Sequence, residues 1–122
     1  MVKLDKHGPL VILRYLPPYE DRDERAYLDA LIEIGRNESV FALLAIFAGG
    51  GGLSQAGERE QALWFKATRE RFERHCRALA IVRPDANPRM IETFQRLWSM
   101  PLTATCDEQA ARHFIAQHME TA

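Results

Sequence analysis

Cysteine is scarce: the 122 residues hold only two, Cys76 and Cys106, outside any CxxC pair. A disulfide-framed fold is thereby excluded. A cysteine-based zinc site, which needs three or four ligands close together, is not expected either. A dominant charge is also missing, since 16 Lys and Arg face 17 Asp and Glu, for a formal net charge of -1. Nothing in that balance draws the chain to nucleic acid or to an anionic membrane. No apolar run is long enough to cross a bilayer: the longest, Val40 to Leu53, is short and interrupted by Gly49, Gly50, Gly51 and Gly52. The opening Met1-Val2-Lys3-Leu4-Asp5-Lys6 lacks the apolar centre of a signal peptide. The expectation is a cytoplasmic protein with no integral membrane segment.

What is present is ordinary globular composition, 47% hydrophobic and 27% charged, at the length of one domain. Short β-rich runs alternate with longer amphipathic ones. Leu10 to Leu16 is rich in strand formers and stops at Pro17-Pro18, which cannot continue a ladder. Val2 to Lys6 reads as an edge strand turned back through His7-Gly8-Pro9. Asp21 to Arg36 reads as a helix with Tyr27, Leu28, Leu31 and Ile34 on one face. Val40 to Phe47 is continuously apolar and suits a central strand covered on both faces.

Ser54 is placed to cap the longest helix, running to about Arg77, with Trp64, Phe65, Thr68, Phe72, His75 and Cys76 on its apolar stripe. Ala78 to Val82 is a further buried strand. Asn87-Pro88 starts a helix whose inner face is Met90, Ile91, Phe94, Leu97 and Trp98, because proline at the first helical position loses no needed donor. Leu102 to Thr105 is the last strand. Asp107 caps a closing helix with Ala111, Phe114, Ile115 and His118 inward. The order β-β-α-β-α-β-α-β-α predicts one α/β domain over 1–122, with a single mixed, mostly parallel sheet of four or five strands.

Several of these features together resemble the SpoIIAA-like branch of the STAS superfamily. They are the strand Val40 to Phe47, the loop to Leu53-Ser54 and the helix start Gly57-Glu58-Arg59-Glu60. The passage from Phe72-Glu73-Arg74-His75-Cys76-Arg77 into Ala78-Leu79-Ala80-Ile81-Val82, and the closing Asp107-Glu108-Gln109-Ala110-Ala111, complete the pattern. The resemblance implies helices packed mainly on one side of the sheet. It also implies a protein-binding module regulated by phosphorylation of a serine at the second helix's start, here Ser54. This chain has Leu53 where the family has an acidic residue, Gln55 at its second serine, and no acidic residue after Phe47. The wider fold is similar to CRAL-TRIO lipid-transfer domains, which implies an apolar ligand.

The candidate binding residues are Gly49, Gly50, Gly51, Gly52, Ser54 and Glu58. Glycines between a strand's end and a helix start can offer free amides to a ligand or a partner backbone, and can equally be a plain turn. No GK[ST] or GxGxxG pattern follows. Ser54 reads either as a cap alone or as a cap that is also a phosphorylation site. Trp64 and Trp98 read as core anchors that would line a pocket if one opens beside them.

Cys76 and His75 are adjacent on a helix and point about 100° apart, which defeats a nucleophile–base pair. His113 and His118 fall on different faces. Lys66 to Arg77 interleaves its charges as a solvated helix face does, the alternative being a patch for an acidic partner. No catalytic residue, metal or cofactor is expected. The leading expectation is a non-enzymatic interaction or regulatory module that binds another protein around Gly49 to Glu58, with Pro17-Pro18-Tyr19-Glu20 contributing. The alternative is a carrier or sensor of a small apolar or anionic ligand. A homodimer is compatible with the sequence and not required by it.

Overall fold

A computed structural model describes residues 1–49 and 52–120. Its elements follow in the order β1 (Val2–His7), β2 (Leu10–Tyr15), α1 (Asp23–Gly35), β3 (Phe41–Phe47), α2 (Gln55–His75), β4 (Cys76–Val82), α3 (Pro88–Gln95), β5 (Leu102–Thr105) and α4 (Glu108–Glu120). The five strands form one sheet in the order β1-β2-β3-β4-β5. β1 pairs with β2 antiparallel through the turn at Gly8, and the remaining pairs are parallel. The α/β fold expected from the alternation of runs is the fold observed, with four helices on a mixed, mostly parallel sheet.

Each parallel step moves one strand along in the same direction. Connections of one hand then lay α1, α2 and α3 on the same face. That face carries Val11, Leu13, Leu43, Leu79, Ile81 and Leu102 beneath Tyr27, Leu28, Leu31, Phe72 and Trp98. The opposite face is left to α4, whose Ala111 and Ile115 pack on Ile12, Leu44, Ile46, Ala80 and Val82. β3 is covered on both sides, so every residue from Phe41 to Ile46 is buried. This is why its sequence does not alternate.

Element ends differ from the sequence reading by a few residues, and two of the differences bear on the site. α1 begins at Asp23 rather than Asp21, because the Asp23 carboxylate accepts from the Glu20 amide and the N-terminal ammonium just outside the helix. α2 ends at His75, so Cys76 is no longer part of the helical stripe. It pairs with Phe41 as the first residue of β4, and the register shift that follows leaves Arg77 exposed and unopposed. Burying Cys76 in the sheet wins over one further helical turn that would present it sideways.

Candidate functional site

α2 meets the sheet differently from its neighbours. Over its 21 residues only Gly57 and Phe72 are buried. It packs against α1 more than on the strands below, and is held off the sheet by a layer of rings. Trp64 contacts Phe65 and Phe72, and both Phe65 and Phe72 contact Trp98, at centroid separations of 4.6–6.0 Å. Gly35 makes the α1–α2 approach possible, since a Cβ there would lie 2.9 Å from Trp64 Nε1 and 3.0 Å from Thr68 Cγ2.

The stand-off leaves a cavity of about 340 Å³ between the helices and the sheet. Leu13, Leu43, Ala45, Leu79 and Ile81 form its floor, and Leu31, Phe72 and Trp98 its depth. All three tyrosines, both tryptophans and every phenylalanine except Phe41 and Phe114 line it. Native interiors pack nearly as densely as organic crystals, with few voids larger than a water molecule. This space opens to solvent at its rim, and its size falls within the usual range of small-molecule sites, about 300–1,000 Å³.

The rim lies at the carboxyl ends of β2, β3 and β4, where ligands of open α/β sheets bind. Tyr15, Tyr19, Tyr27 and Phe47 stand there in edge and tilted contacts. The Tyr19 hydroxyl donates to the Gly49 carbonyl at 2.7 Å, and Gly49 has φ +84°, a conformation that favours glycine. The Tyr27 hydroxyl donates to Gln61 Oε1 at 2.6 Å, and burial pushes its pKa up to about 12. Burial, then the nearby Asp23 and Glu24 carboxylates, raise that of Tyr15. Among the described residues, the charged ones lining the cavity are Glu58 and Arg83. Arg83 pairs through Nε with Asp85 at 3.0 Å.

The structure brings several predicted site residues to this rim. Gly49, Gly52 and Glu58 line the cavity, and Gly52 and Glu58 are exposed. Gly50 and Gly51 lie outside the described residues. Ser54 is exposed beside them and caps α2, its Oγ accepting from the Gly57 amide at 3.0 Å. Trp64 and Trp98 line the cavity as well as packing in the core, so both readings of them hold together. Pro17 and Pro18 are exposed and are not part of the wall, whereas Tyr19 is.

Glu24 was not legible in the sequence. Its carboxylate takes both the amide and the hydroxyl hydrogen of Ser54, the latter at 2.8 Å, and these bonds hold its pKa below the usual range. Gly57 leaves room for it, because a Cβ there would meet the Glu24 carboxylate at 2.7 Å. A carboxylate thus already occupies the start of α2, where the helix dipole favours negative charge. Arg25 adds a second α1–α2 tie, with Nη2 2.6 Å from Glu60 Oε2. That bond lowers the Glu60 pKa and raises that of Arg25.

Cys76 is buried and its thiol is pushed up to about 12 by burial, the state of an inert structural cysteine. Among the described residues no group of three or more His, Cys, Asp or Glu is placed to hold a metal ion, and no helix is long and apolar enough to cross a membrane. No protein-family model, curated protein or solved structure matches this chain.

Proposed function

We propose that this protein carries or senses a small, largely apolar ligand held in the aromatic cavity under α1, α2 and α3. The single observation that carries the reading is the concentration of nearly all the chain's aromatic side chains around one space of about 340 Å³. Rings give large contact area at little entropic cost, and the few polar groups at the rim suit orientation rather than chemistry. Of the two functional expectations from the sequence, this is the one the geometry favours. The cavity lies beside Phe47, Trp64 and Trp98, where the carrier reading needs it.

Trp64 and Trp98 are the chain's two tryptophans and both face the site. Calorimetric titration with neutral 2-naphthalenemethanol should show saturable binding that Trp64→Ala weakens. A titration with no saturable heat would remove the reading's support.

A second reading rests on Ser54. An exposed serine that ties α1 to α2 through Glu24 is suited to regulation in a STAS-like interaction module, with a partner protein bound around Gly49 to Glu58. A phosphate on Ser54 would lose the donor to Glu24 and face its carboxylate, so phosphorylation would release the tie. A kinase-treated chain that gains no phosphate at Ser54, or gains it without altered hydrogen exchange at the start of α2, would count against that role. The element order and the helix cap support the STAS-like reading.

A further inference from the structure

The rim of the cavity offers hydrogen-bond donors, and two of its acceptors, the Gln61 Oε1 and the Gly49 carbonyl, are already used. Arg83 Nε lies 3.0 Å from Asp85 Oδ1 and Nη2 3.3 Å from Asp85 Oδ2. A guanidinium has five N–H donors, so Nη1 retains both of its hydrogens. Of the pair, Arg83 is the inner member, its side chain 37% exposed against 62% for Asp85. An exposed ion pair of this kind is worth little and exchanges readily for another carboxylate.

Gln61 is in a similar position. Its Oε1 is taken by the Tyr27 hydroxyl, which leaves the amide NH₂ as the group it can present. The neighbouring carboxylates are engaged elsewhere: Glu24 with Ser54, and Asp23 with the N-terminal ammonium and the Glu20 amide. Among the described residues of the wall Glu58 is the acidic one, and it is exposed in the first turn of α2. A cationic ligand would find a partner in Glu58, out at the exposed start of α2, but would meet Arg83 and find the Gln61 oxygen occupied. An anionic one would find the arginine fork, whose planar geometry matches a carboxylate.

We infer that the ligand is a small ring-bearing acid, its ring system among the aromatic walls and its carboxylate at Arg83. The inference rests on the cavity reading above and adds the chemical class.

Three probes sharing one ring test the ligand class: 2-naphthoate, 2-naphthamide and 2-naphthylmethylammonium, each titrated by calorimetry. The acid should bind about ten-fold or more tightly than the amide, as expected for a charge-assisted pair, and the ammonium most weakly. Arg83→Gln should bring the acid down to the level of the amide and leave the amide unchanged. Asp85→Asn, which frees Arg83, should tighten the acid, and this gain guards against a misfolded Arg83 variant. Equal binding of all three probes, unmoved by either substitution, would overturn the ligand class and leave the cavity reading standing. Failure of every probe to bind would overturn the cavity reading itself.

Discussion

Ala45 stands on β3 with its side chain on the cavity wall and 6% of its surface exposed. Ala45→Phe adds a ring at that wall. Where open space receives it, burial of the ring contributes about 1.5–3 kcal/mol. In a filled core the same change costs about 1–3 kcal/mol through forced rotamers and backbone shifts. The two cases differ in sign, so the substitution decides between them. Ala80 supplies the control. It lies on β4 with 0% exposure, in the layer covered by α4 and away from the cavity. Ala80→Phe should therefore destabilise. For a chain of this length about 1 kcal/mol moves Tm by roughly 3–5 °C. Calorimetry should show Ala45→Phe melting at or above the wild type and Ala80→Phe several degrees below it. Equal losses in the two variants would mean that the space under α2 does not admit a side chain, and the account of the site would fail.

Other outcomes follow from the same contacts. Ser54→Ala removes the cap of α2 and should cost about 1 kcal/mol in urea denaturation, with the earliest loss of hydrogen-exchange protection at the first turn of α2. At alkaline pH, Tyr27 and Cys76 hold their protons to about 12 in the folded chain, whereas the unfolded chain releases them near 10 and 8.5. Their stabilising contribution is thus complete below the unfolded values and is lost as pH rises towards about 12. Tyr27→Phe should flatten the part of that loss between about 10 and 12, as followed by urea midpoints across pH. On the acid side Glu24 has a lowered pKa, so its contribution is present above the ordinary carboxylate range and lost as pH falls through the folded value. Glu24→Gln should leave a shallower acid decline.

The elements were legible because each rests on local chemistry. The second strand run stops at Pro17, and Ser54 and Asn87 announce their helices through side chains that bond amides three residues on. The continuous apolar run Val40 to Phe47 signals cover on both faces, and its residues Phe41 to Ile46 are buried. The polar partners of the site were not legible, since Glu24 and Ser54 are thirty residues apart and no periodicity links them. Arg83 directly follows β4, and nothing local in the sequence marks it. Whether its guanidinium faces a cavity depends on how far α2 stands off the sheet, which Gly35, Trp64 and Phe72 set together. A void is a property of the packed molecule. Its walls could be guessed from Trp64 and Trp98, but its existence could not.

The most direct test of the ligand claim is native mass spectrometry of the protein purified gently from its own source, beside Ala45→Phe prepared identically. The account predicts a wild-type chain carrying a small-molecule adduct that is lost on unfolding, and a variant that arrives bare. A wild-type chain as bare as the variant, or one accompanied instead by a stoichiometric second protein, would contradict it.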